Sequence, residues 1–158
     1  MTTGSFYESL PPQNSTPPAA APGSYSPLPA APATGALPYG LGFLAYIPLP
    51  YLSLIIAGIV MASVYPSQKR KGGLAAENAR QAANWGLSLI VYMVLDFTFF
   101  IILLVTRPEE NTGFFPVGIP VLMVLAIGLA HLIVSIMGLV AANKHTVLRN
   151  RIAIPFIR

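Results

Sequence analysis

Two ionisable side chains interrupt otherwise apolar runs: Asp96 within Trp85–Thr106 and His131 within Val117–Ala142. A carboxylate and an imidazole can share a proton, hold a ligand, or tie two helices together through a hydrogen bond. Asp96 lies eleven residues beyond Trp85 and His131 lies eleven before Ala142, roughly 16 Å of helix in each case. If Trp85 and Ala142 mark one membrane interface, both side chains sit near the midplane. An intramembrane ionisable group costs several kcal/mol unless it finds protein or water, so the matched depth predicts a pair. That pair, Asp96 with His131, could be a polar clasp that fixes helix register, a contact to another subunit, or a proton- or substrate-handling site. The clasp is the plainest of the three.

Neighbouring residues support a polar face on each run. Ser88, Tyr92 and Asp96 recur at four-residue spacing, which places them on one helical face and predicts that Tyr92 donates its hydroxyl to the carboxylate. Gly128, His131, Ser135, Gly138 and Ala142 form a narrow stripe of small residues, and Gly58 with Ala62 forms a shorter one. Small residues let helices approach closely in lipid.

Little else could do chemistry. The chain has no Cys, two His, and one adjacent acidic pair, Glu109-Glu110. It carries no metal-ligand spacing, glycine-rich phosphate loop or nucleophile elbow. No catalytic residue, metal site or cofactor is expected. His145 reads as a solvated residue in a basic tail, and an enzyme is the least favoured class.

The elements that position these residues follow from composition. Hydrophobic residues make up 54% of the 158 and charged residues 9%, against about a quarter charged in soluble domains. The expectation is an all-α membrane protein with one helical domain over 38–158 and three transmembrane crossings near 41–65, 85–106 and 117–142. Residues 1–37, rich in Pro, Ala and Ser, cannot build a packed core and read as a disordered tail. They lack a basic start and an apolar h-region, so insertion is expected to rely on the first internal apolar segment. Pro48 and Pro50 break that segment, leaving either one kinked crossing, the preferred course, or a re-entrant half-helix followed by a short crossing.

Residues 66–82 form a polar connection with a basic cluster, Lys69-Arg70-Lys71, and a flexible Gly72-Gly73 joint. A short interfacial helix is expected from Leu74 to Asn84, with Glu77 meeting Arg80 or Gln81. Trp85, Tyr65, Phe114 and Phe115 fall where interface anchors belong. The tail, 143–158, mixes cations with apolar residues and is expected to lie along the bilayer surface.

Charge placement sets orientation. The net charge is +4, and the excess falls in two segments: Lys69, Arg70, Lys71 and Arg80 in one, Lys144, Arg149, Arg151 and Arg158 in the other. Positive-inside logic puts both on the cytoplasmic face of a bacterial plasma membrane, against anionic inner-leaflet lipid, with the N-terminal tail and the 107–115 loop outside. The partners expected are this lipid and a membrane protein or further copies of the chain, with no nucleic acid.

Two stretches resemble a known family. The run Glu77-Asn78-Ala79-Arg80-Gln81-Ala82-Ala83-Asn84-Trp85 is similar to a pre-helix signature of the small bacterial membrane family called domain of unknown function 4870. The runs Ile136-Met137-Gly138 through Asn143-Lys144, and Ile154-Pro155-Phe156-Ile157-Arg158, resemble its ending. Gln81 stands where that family commonly has Glu, and Trp85 where it has Phe. The resemblance covers about 37–158 and implies a helical membrane domain, loosely akin to the membrane component of the chloroplast Tic translocon. It assigns nothing to Asp96 or His131. The leading functional expectation is an accessory or assembly subunit of a larger membrane complex. The alternatives are an oligomer conducting protons or a solute past Asp96 and His131, and a Tic-like translocation component.

Overall fold

In a computed structural model, residues 32–49, 51–106 and 114–158 are described. The expectations for residues 1–31 and for the Glu109-Glu110 loop fall outside them.

The chain is a three-span bundle of membrane helices, and no strand occurs among the described residues. An arm opens it: helix α1, Leu37–Gly42, runs into a 3-10 turn, Phe43–Tyr46. Helix α2, Leu52–Ser63, and the short α3, Tyr65–Lys69, together form the first span. The second is α4, Gly73–Thr106, and the third α5, Gly118–Asn143.

The break at the prolines is real, and the chain turns back on itself there. Pro48 and Pro50 supply no backbone N–H, and Tyr51 adopts a positive φ of 61° at the head of α2. The arm ascends beside α4 and α2 descends. Gly35 abuts Ala75 and Asn78, Gly42 faces Met61, and Ala45 packs with Leu54, Ala57 and Met93. Of the two courses open to this segment, the hairpin replaces the preferred kinked crossing. The arm buries Pro38, Tyr39, Gly42 and Ala45 against the bundle and leaves Leu37, Phe43, Tyr46, Ile47 and Leu49 exposed.

The Asn78 side-chain amide donates to the carbonyls of both Thr34 and Thr146, at 2.9 Å each. Thr34 therefore lies at the same end of the bundle as Thr146.

The expected interfacial helix over Leu74–Asn84 is the first third of α4. Nothing between Leu74 and Trp85 breaks a helix, and the lone Gly86 is tolerated within one. At 34 residues α4 is about 51 Å long, well beyond the ~30 Å hydrocarbon core, so its polar start projects past the apolar stretch.

The distribution of side chains is that of a protein dissolved in lipid. Val105, Leu125 and Leu95 are 74%, 65% and 62% exposed, whereas Ser53, Asn78, Ser88, Asp96, His131 and Ser135 are buried. Small residues set the helix spacing. Gly58 of α2 meets Gly86 of α4 backbone to backbone, and a Cβ on either would lie 2.5–2.6 Å from the other's carbonyl oxygen. The α5 stripe receives the arm: Tyr39 lies over Gly138, Gly42 against Ser135 and His131, and the Tyr46 hydroxyl donates to the Gly128 carbonyl at 2.8 Å.

Candidate functional site

His131 is fully buried on α5 and satisfied at both ring nitrogens. The Trp85 indole Nε1–H of α4 lies 3.0 Å from Nδ1, and the Gly42 carbonyl of the arm lies 2.8 Å from Nε2. An indole can only donate and a carbonyl can only accept, so this geometry selects the neutral imidazole with its proton on Nε2. The Tyr46 and Trp85 ring centroids each lie 6.3 Å from that of His131. Ser135 Oγ stands 3.5 Å from Nε2. One side chain thus joins α4, α5 and the arm.

Trp85 was expected at the membrane interface. It is 1% exposed, and its N–H donates to His131 within the bundle. Of the other expected anchors, Tyr65 is half-buried with Lys69 Nζ 5.8 Å from its ring centroid, and Phe114 and Phe115 are exposed and edge-to-face at 5.0 Å.

Asp96 has the opposite character. It is 2% exposed, and neither carboxylate oxygen has a hydrogen-bond partner among the described residues. The Tyr51 hydroxyl approaches it without reaching hydrogen-bonding geometry. Even a bond from Tyr51 would fill one of about four lone-pair sites on a carboxylate. Asp96 borders a crevice of about 720 Å³ between α4 and α5, whose other walls are Tyr92, Leu95, Phe99, Ile119, Met123 and Ile127. Asp96 and His131 are not hydrogen-bonded to each other, and no polar relay connects them among the described residues.

Tyr92, expected to serve Asp96, donates instead to the Ile152 carbonyl at 2.8 Å. Here the C-terminal tail departs from the surface course expected of it. After Thr146 it rises beside α4, turns at Arg151–Ala153 and returns. The Asn84 side chain bonds both the N–H and the C=O of Ile157, at 2.7 and 3.1 Å, and Ser88 Oγ accepts the Ile154 N–H at 2.7 Å. An irregular strand beside a membrane helix needs partners for its peptide groups, and Asn84, Ser88 and Tyr92 supply them at four-residue intervals. That spacing was visible in the sequence; what the polar ladder would hold was not.

At the projecting start of α4, Arg80 donates to Glu77 at 2.6 Å, and Gln81 donates to the same oxygen at 3.4 Å. The bond from Arg80 holds the Glu77 carboxyl below its ordinary range, against a smaller opposing effect of burial. Lys69, Arg70 and Lys71 sit at the α3–α4 turn, and Lys144, Arg149, Arg151 and Arg158 follow α5. No group of three His, Cys, Asp or Glu side chains among the described residues could hold a metal ion.

Residues 38–157 match the magnetosome magnetite crystal formation protein family. This finding overturns the resemblance to domain of unknown function 4870, and the Tic analogy drawn from it goes too. The apolar positions and Asn-aromatic step that carried that resemblance recur cheaply wherever a helix enters lipid. No curated protein and no solved structure matches the chain.

Proposed function

The chain belongs to the magnetosome magnetite crystal formation protein family, and on that premise we propose that it is a non-catalytic accessory subunit of a membrane complex serving magnetite crystal formation. The observation that carries this reading is Asp96. A buried carboxylate with both oxygens unpartnered costs several kcal/mol in an apolar crevice, and a subunit that kept it without use would be poorly built. The matching occupant is a transmembrane segment of a partner protein that fills the crevice and offers a hydrogen-bond donor onto which the buried Asp96 side chain turns. Interhelical hydrogen bonds and close packing are what drive association in lipid.

His131 has the role of an internal clasp in this reading, since both its nitrogens are already engaged. The two basic segments and the end of the bundle that carries Thr34 and Thr146 face the cytoplasm, where cations accumulate by the positive-inside rule.

The test uses the full chain, purified in mild detergent from cells in which the complex assembles. Asp96→Leu removes the unpaired polar group, so the isolated subunit should gain about 1–3 kcal/mol of stability while retaining less than about a tenth of its co-purifying partner. Asp96→Asn keeps one acceptor oxygen at this position and should retain the partner. If Asp96→Leu keeps its partner in full, the crevice is not the contact.

A further inference from the structure

Four arginines line one pocket between the start of α4 and the returning tail. Arg80 comes from the helix, Arg149, Arg151 and Arg158 from the tail, and Gln81, Asn84 and Asn150 complete the polar wall. The volume is about 260 Å³, and Ala153, Pro155 and Ile157 give it an apolar side. No acidic residue lines it. Glu77, the acid nearest to Arg80, engages one Nη2 of that residue and leaves Arg80 Nε without a partner. The Asn150 side-chain N–H₂, whose oxygen is bonded to the Ile152 N–H, is likewise a buried donor with no acceptor.

Four like charges around one cavity repel, and two buried donors without acceptors cost further free energy. A single tetrahedral oxyanion relieves the repulsion, and it satisfies Arg80 Nε and Asn150 Nδ2 once those side chains, buried at these atoms, turn toward it. Guanidinium forks match phosphate oxygens in paired hydrogen bonds, which is why arginine rather than lysine gathers at such sites. The pocket also has a polar wall and an apolar side, as a phosphate carrying a hydrocarbon tail would require. It lies at the bundle end where the basic segments gather.

We propose that this arginine pocket binds the phosphodiester of an anionic phospholipid headgroup, with Arg80 and Asn150 directed at the phosphate and Arg149, Arg151 and Arg158 enclosing it. The bound lipid bridges α4 to the tail, so it fastens the strap from outside as Asn84 and Ser88 fasten it from within. This site is separate from the Asp96 crevice and does not depend on the proposed function.

The experiment titrates the purified full chain with short-chain phosphatidylglycerol, short-chain phosphatidylcholine and inorganic phosphate, reading the thermal midpoint. Phosphatidylglycerol should give a saturable rise that phosphatidylcholine does not. The double variant Arg149→Gln/Arg151→Gln should weaken that response about tenfold. Lys69→Gln/Lys71→Gln, which removes the same charge outside the pocket, should leave it unchanged. An equal loss in both double variants would reduce the effect to general surface charge and overturn the site. Saturation by inorganic phosphate with no response to phosphatidylglycerol would overturn the lipid as its occupant. Without ligand, Lys69→Gln/Lys71→Gln should melt with the parent chain and Arg149→Gln/Arg151→Gln at or above it, because two of four repelling charges are gone.

Discussion

Replacing His131 with leucine should lower the unfolding free energy of the detergent-solubilised protein by about 2–5 kcal/mol, even though leucine is the more lipophilic residue. The loss comes from the groups left behind. The Trp85 indole N–H would be buried without a partner, an orphan that costs about 1–3 kcal/mol, and the Gly42 carbonyl would lose its side-chain donor. His131 also bonds Gly42 and neighbours Tyr46, so its loss loosens the arm as well as the α4–α5 contact. Trp85→Phe should cost less, about 1–3 kcal/mol, because it orphans only Nδ1 and keeps an aromatic ring in place. The measurement is the thermal or denaturant midpoint, with protease sensitivity of the arm at Leu37–Tyr46 as the structural readout. A His131→Leu protein as stable as the parent would show that the three-way clasp contributes nothing.

Gly86→Val is the second large effect, and its mechanism is steric. A Cβ at Gly86 would sit 2.6 Å from the Gly58 carbonyl oxygen and 3.1 Å from the Met61 Cβ, and backbone cannot retreat as a flexible side-chain end can. Helices α2 and α4 would have to separate along their whole contact, undoing the packing of Met61 against Trp85 and Leu89 in the core. Overpacking of this kind costs about 1–3 kcal/mol and more where backbone blocks relief, so about 3 kcal/mol or more is expected. Gly128→Ala is the matched control, since its Cβ would meet nothing within 4 Å. Equal midpoints for the two variants would mean that the Gly58–Gly86 approach is not what spaces the helices.

Much of the architecture is written in local signals. The apolar runs predict three spans, and α5 follows its expected limits to within a residue at each end because Pro116 precedes it and the polar Asn143-Lys144 step closes it. The proline break is equally local. Which way the chain leaves that break is decided by distant partners: Gly42 against His131, Tyr39 over Gly138 and Thr34 on Asn78. None of these pairs has a signature in sequence spacing. The small-residue stripe on α5 signalled a close neighbour, though the neighbour proved to be the arm rather than a whole helix.

Depth matching on its own misleads about the two ionisable residues. Asp96 and His131 do lie on facing helices, but depth fixes only one coordinate and says nothing of the angle around each helix axis. His131 turns toward Trp85, and Asp96 toward the crevice between α4 and α5. Asn84 shows the same limit from the other side. A polar residue at the mouth of a helix reads as an interface residue until the tail that it binds, more than seventy positions away, is placed beside it.

The account's central claim is that the Asp96 crevice receives a partner segment, and the absence of cysteine from the chain permits a direct measurement. Single cysteines are introduced at Met123, on the crevice wall, and at Ile133, on the outer surface of α5, and membranes from cells assembling the complex are labelled with a maleimide–benzophenone and irradiated, so that capture needs no thiol on the partner. Met123→Cys should give one discrete adduct that disappears when Asp96→Leu is added, and Ile133→Cys should give none. An adduct at Met123→Cys that persists with Asp96→Leu, or none there at all, would contradict the claim.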